Sequence, residues 1–288
     1  DLDMVRSLAN SLAWAGRTRF NTGRYEEALR TLRQSAEYHG RVREADPRDT
    51  INLEGLASNH YLLAITLENL DRREEAREQF LLDFGIQTRL CEQDPDNADW
   101  KSSLTTSGLV FARFCLRQGD FENGRHYTAE AEGAMSELLA LSPGHERWLT
   151  TGLDLEASRA LLASHERDDR RALAILDAAI PRGLEHQQGV GGHEIVRTVG
   201  DLLLIRAELH HRHGRSGLAA ADYESAARVL ESEAAGSTDG RTLFAWARVQ
   251  AGLGHDDQAR AVIEKLNDTG FARRDFQAFA AGFETTGI

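Results

Sequence analysis

The sequence predicts an all-α solenoid of helix–turn–helix units, and three observations predict it. A turn-and-helix phrase returns on a constant beat: "GRYEEAL" (23–29), "DRREEAR" (71–77) and "GDFENGR" (119–125), each 48 residues after the last. Gly or Ala recurs at two matched positions in every repeat. The composition favours helices, with Ala, Leu, Glu and Arg abundant and only four prolines in 288 residues.

The matched positions carry the physical argument. One lies inside the phrase: Ala28, Ala76, Gly124, Ala172, Ala219 and Ala259. The other lies twelve residues earlier on the preceding helix: Gly16, Ala64, Ala112, Ala160, Ala207 and Ala247. Paired helices about 8–10 Å apart need small side chains where they touch. Between the two slots a turn is marked by Gly23, Gly119, Gly214 and Gly254, with Asp71 and Arg167 at that place in the second and fourth units. Glycine accepts the left-handed backbone that ends a helix.

Each unit follows in order. The first, about 3–46, opens with "LDMVRSLANSLAWAG", turns at Gly23, packs Leu32 and stops at "DPRDT". The second, about 50–94, turns at Asp71, packs Phe80 and stops at "DPDNADW". The third, about 97–142, turns at Gly119, has the polar exception Thr128 and stops at "SPGHERW". Proline just past a helix end prevents continuation, and an Asp or Asn in the first two boundaries is placed to cap the next helix. The fourth and fifth units, about 145–186 and 193–233, pack Leu176 and Tyr223. They are joined by the glycine-rich stretch 187–192, the one hinge expected. The sixth, about 240–268, packs Ile263. A tail over 271–284 places Phe276, Phe279 and Phe283 at helical spacing to cover the last unit, as a solenoid end requires.

The stretches "LAWAGRTRFNTGRYEEAL", "LVFARFCLRQGDFENG" and "LFAWARVQAGLGHDDQA" resemble the tetratricopeptide repeat (TPR) family, over nearly the whole chain. The resemblance implies a right-handed superhelical solenoid whose first helices line a concave, partner-binding side. The family's unit usually runs about 34 residues; here each helix is about seven residues longer. Enlarged units of this kind resemble those of multidomain bacterial signalling proteins, including Ser/Thr protein kinases and caspase-like proteases. The helical pattern that begins at Asp1 reads as a piece of such a longer protein.

Composition narrows the function classes. Net charge is −12, where a phosphate-backbone binder carries a basic excess, so nucleic acid is disfavoured. No apolar run reaches the roughly 20 residues that cross a bilayer. Cys91 and Cys115 stand apart without ligand spacing and read as small buried residues of a reducing, cytoplasmic setting.

Catalytic signals are weak. "ELHHRHGR" (208–215) offers His210, His211 and His213, either as metal ligands or as imidazoles at a helix C-terminus, where the helix dipole favours them. "GVGGHE" (189–194) lacks the Lys and Ser/Thr of a phosphate loop, and "HEIVR" (193–197) lacks the second histidine of a zinc protease. No cofactor, metal or catalytic group is expected, and the chain reads as a non-enzymatic scaffold.

The family's groove positions, carried onto this sequence, are Asn10, Arg17 and Asn21; Tyr61 and Asn69; Arg113 and Arg117; His165; His211 and Arg212; Arg241, Phe244 and Arg248. Arginine forks suit carboxylates. The expected partner is a protein offering an acidic peptide segment, or an enzyme domain of the same longer chain. The alternative is that these arginines pair with Asp and Glu on adjacent helices.

Overall fold

The computed structural model describes residues 1–189 and 192–285. Twelve helices form six antiparallel pairs: α1 (Leu2–Asn21) with α2 (Tyr25–Ala45), α3 (Thr50–Asn69) with α4 (Arg73–Gln93), and α5 (Ala98–Gln118) with α6 (Phe121–Leu141). Then come α7 (Glu146–His165) with α8 (Asp169–Gly189), α9 (His193–Arg212) with α10 (Ser216–Ala235), and α11 (Gly240–Gly252) with α12 (Asp256–Asp268). A thirteenth helix, α13 (Arg274–Thr285), closes the chain, and no strand occurs among the described residues. The fold is an all-α TPR-like solenoid.

The elbows share one backbone geometry. Gly23, Gly119, Gly214 and Gly254 have φ between 68° and 82°, and Asp71 and Arg167 adopt the same left-handed region at 56° and 67°. The turn is imposed by the packing of the pair, since it forms even where the residue opposes it. Asp49 and Asn97 cap α3 and α5 by accepting from the Asn52 and Trp100 backbone N–H.

All twelve small slots are buried. At Gly16 an added Cβ would stand 2.6 Å from the Leu32 side chain, so that elbow has no room even for alanine without movement of Leu32. Thr128 is buried in its column because its hydroxyl bonds back to the Gly124 carbonyl, which leaves no unsatisfied group.

Of the hinge expected over 187–192, residues 187–189 are the last turn of α8. Residues 190 and 191 lie outside the described residues. No proline interrupts the chain after Pro181, and the helix runs through it to Gly189.

The stack curves until its ends meet. Tyr25 at the start of α2 receives a hydrogen bond from the Gly240 backbone N–H at 3.0 Å, and the Thr238 hydroxyl donates to the Asn21 carbonyl. One apolar cluster joins Phe20, Tyr25 and Phe111 to Phe244, Phe271 and Phe276. Helix α13 lays Phe276 and Phe279 against Phe244 of the last unit, and the tail also turns inward. The Ala272 N–H bonds to the Asn69 carbonyl at 2.7 Å, and Arg274 reaches the Gln118 carbonyl. The tail therefore ties the sixth unit to the second and third.

Candidate functional site

Closure of the stack leaves a chamber on its inner side. Two cavities, of about 880 and 400 Å³, share Tyr61, Ile65, Thr106, Glu194, Arg197 and Arg241 in their walls and form one space. All six first helices contribute to it. A volume of this size suits a ligand of several residues or a small molecule.

The arginines of the wall divide into two classes. Arg113 bonds Asp154 at 3.1 Å and Asp201 at 2.5 Å, from α7 and α9. Arg117 grips both oxygens of Glu68 on α3, at 2.7 and 2.9 Å. Arg248 pairs with Glu208 and Arg241 with Asp239. Burial alone would raise the Asp201 carboxyl, but Arg113 beside it brings it below the usual range; for Asp154, burial prevails and the carboxyl is raised. The second class is Arg17, Arg147 and Arg197. Arg17 stacks over Trp14, and none of the three guanidiniums makes an ion pair or hydrogen bond with a described residue. They come from the first, fourth and fifth units and face one cavity.

Behind that wall lies Asp83, only 1% exposed. Neither carboxylate oxygen has a hydrogen-bond partner of proper geometry, and the Gln87 Oε1 beside it also lacks one. Burial pushes the Asp83 carboxyl up to about 7, although nearby Ser107 and Gln87 favour its charge. A proton on Asp83 removes the penalty of a buried charge.

The positions carried over from the family separate accordingly. Arg17, Asn21, Tyr61, Asn69, Arg113, Arg117, Arg241, Phe244 and Arg248 line the chamber. Asn10, on α1, directs its Oδ1 toward Gly55 of α3 and is not in the chamber wall. His165, His211 and Arg212 are exposed and away from the chamber wall: His165 stacks on Phe121, and Arg212 reaches Ser164 and Asp169. Pairing with acids on adjacent helices thus accounts for Arg113, Arg117 and Arg248, whereas Arg241 pairs with Asp239, which caps its own helix.

Sequence reasoning missed the counter-ions and two free cations. Asp154 and Asp201 occupy the same place in their helices as Arg241, six residues before the small slot, and Glu208 the same place as Arg113 and Arg248. Reading those columns for every residue type would have found them. Arg147 and Arg197 lie two turns and one turn further toward their helix N-termini, beyond the positions considered.

The histidines of 208–215 do not converge. His210 is buried with its Nε2 4.0 Å from Asp222, whereas His213 bonds Asp169 at 2.8 Å. Among the described residues, no group of three or more His, Cys, Asp or Glu is placed to hold a metal. Cys115 is buried, and burial pushes its thiol up to about 12, so it is unreactive near neutrality. No described helix is long and apolar enough to cross a membrane.

No protein-family model matches the chain, and no curated protein matches it. Solved structures do. BtubC from P. vanneervenii overlays with a TM-score of 0.51 at 17% identity, over 85% of this chain and 90% of that one. TTC0263 from Thermus thermophilus, described as a thermophilic TPR protein, overlays at 0.46 and 19% identity, over 85% and 98%. PilF from Pseudomonas aeruginosa overlays at 0.43 and 17%, over 98% and 99%. The likeness to BtubC speaks to the fold.

Proposed function

We propose that the chain is a non-catalytic protein–protein interaction scaffold that receives an acidic segment in its inner chamber. The segment belongs to a partner protein or to another domain of a longer chain. By the resemblance of its enlarged units, the module serves as the regulatory region of a kinase- or protease-linked bacterial signalling protein.

One observation supports this reading most. Arg17, Arg147 and Arg197 line a single cavity without a bonded counter-ion, while the other wall arginines are neutralised by Asp or Glu. Unpaired guanidiniums in a partly enclosed space bind carboxylates through charge-assisted hydrogen bonds. The wall is already built before a ligand arrives, which lowers the ordering cost of binding. Arg113, Arg117 and Arg248 act as struts across units, Arg241 is held by the cap of its own helix, and none of the four is a recognition group.

The test is titration with a fluorescent glutamate-rich decapeptide against its glutamine-rich counterpart. The acidic peptide is expected to bind at least about tenfold tighter, and Arg147→Glu with Arg197→Glu to abolish the difference. Equal affinity for both peptides, or an unchanged affinity in the double variant, would overturn the assignment.

A further inference from the structure

The larger cavity also has an acidic stretch of wall. Where α3, α4 and α5 meet, Asp83 and Gln87 of α4 stand in it beside Ser107 of α5. Asp83 is 1% and Gln87 8% exposed, and neither Asp83 oxygen nor the Gln87 Oε1 has a hydrogen-bond partner of proper geometry. Buried acceptors are almost always paired, and a buried carboxylate is as a rule matched by a cation. The protein supplies none here. Arg113, Arg117, Arg241 and Arg248 hold other acids, and burial, Ser107 and Gln87 account for the whole environment of the Asp83 carboxyl.

The repeat does not require an acid at this place. Seven residues after the small slot of the second helix, the other units carry Ser35, Ala131, Ala179, Ala226 and Leu266, all at most 2% exposed. Four of these are apolar, and the Ser35 hydroxyl donates to the Ala9 carbonyl at 2.8 Å. Asp83 therefore sets an ionisable group where the fold is content with a methyl. A departure of this kind, costly to folding, is what a functional site displays.

We propose that Asp83 and Gln87 form a subsite for a primary ammonium group carried by the bound segment, an inference that rests on the reading of the chamber as the receptor of an acidic segment. An ammonium brings three N–H donors, and the subsite offers three unpartnered acceptor oxygens. It also brings the missing positive charge, in place of the proton that the buried carboxyl otherwise holds. Asp83 belongs to no group of three or more His, Cys, Asp or Glu among the described residues, so the donor set suits an ammonium rather than a metal ion.

Tyr61 links this subsite to the arginines. Its hydroxyl feels the charges of Asp83, Arg197 and Arg241 at once, and it stands in the same wall. An amine and a carboxylate of one short segment thus engage Asp83 and Arg197 together. The occupant is an acidic segment with one amine in it, from a lysine side chain or a free N-terminus.

The intact chain is titrated with a glutamate-rich decapeptide that is acetylated and free of lysine, with the same peptide bearing lysine at each position in turn, and with its unacetylated form. At least one amine-bearing peptide is expected to bind at least about tenfold tighter than the amine-free one, and its identity tells lysine from N-terminus. Asp83→Asn should shrink that advantage to within about twofold and leave the preference for glutamate over glutamine in place. An advantage that survives Asp83→Asn overturns the proposal, as does acidic-peptide binding with no advantage for any amine. If the acidic peptides do not bind at all, the acidic-segment reading falls, and n-butylammonium chloride decides the subsite alone. It is expected to raise the melting temperature of the parent chain above the rise given by equal sodium chloride, and not that of Asp83→Asn. Equal melts in the two salts overturn the subsite as well.

Discussion

The Tyr25 hydroxyl accepts a hydrogen bond from the Gly240 backbone N–H at 3.0 Å, joining residues 215 apart in sequence. The contact caps the start of α11 and fastens the sixth unit to the first. Around it, the Tyr25 ring packs on Phe20 and Phe271, so the polar contact sits within an apolar seam. Burial pushes the Tyr25 hydroxyl up to about 12, and it is neutral at every pH at which the chain would be handled.

Loss of that hydroxyl leaves a buried N–H without a partner. Tyr25→Phe is expected to lower stability by about 1–3 kcal/mol, read as a shift of the urea midpoint. Gly240→Ala should cost at least as much, because its Cβ would collide with the Tyr25 hydroxyl and the Phe271 ring. A neutral outcome for both variants would mean that the ends of the stack are not joined in solution.

Arg113 holds α5 to α7 and α9 through Asp154 and Asp201. Its replacement by alanine strands two carboxylates facing the chamber. The expected loss is about 2–3 kcal/mol, less than for a fully buried pair, because the chamber side of the site still meets water. A double-mutant cycle of Arg113→Ala with Asp201→Asn, followed by chemical denaturation, should show coupling of at least about 1 kcal/mol.

Asp83 makes stability depend on pH in a direction opposite to most carboxylates. Its folded-state pKa, about 7, is above the ordinary value of 3.8, so the folded chain binds the proton more tightly than the unfolded one. Its contribution is complete below about pH 4 and is lost as pH rises through about 7. Asp83→Asn, which keeps the shape and removes the charge, should flatten this decline and stabilise the chain at pH 8 by about 1–3 kcal/mol. The comparison is made by melts of both proteins from pH 5 to pH 8.

Arg167 adopts φ of 67° at an elbow where four other units have glycine. Arg167→Gly is expected to raise stability by up to about 1 kcal/mol by relieving the left-handed strain. Asp71→Gly should gain less, since Asp71 also holds Arg73 through two hydrogen bonds. Differential scanning calorimetry of the two single variants decides the order.

Zinc should leave the melting temperature unchanged. His210 faces Asp222 and His213 faces Asp169, so the pair would have to abandon its present partners to chelate. A rise of several degrees with stoichiometric zinc would contradict the observed side-chain directions.

The amino-acid sequence by itself determined the repeat, its elbows and the buried small slots. These depend on spacings of a few residues within one helical pair, and local geometry makes such spacings readable. Asp71 and Arg167 show how strong the pattern is, since they turn as glycine does. The caps at Asp49 and Asn97 were legible for the same reason. Only the tertiary structure decided how far the stack bends, and the bend determines the site. It brings Asp201 to Arg113 across 88 residues and Gly240 to Tyr25 across 215, and it turns α13 inward. Curvature accumulates from small rotations at every helix contact, so no short stretch of sequence records it. It separated arginines that brace the wall from Arg17, Arg147 and Arg197, which face the chamber without a bonded counter-ion.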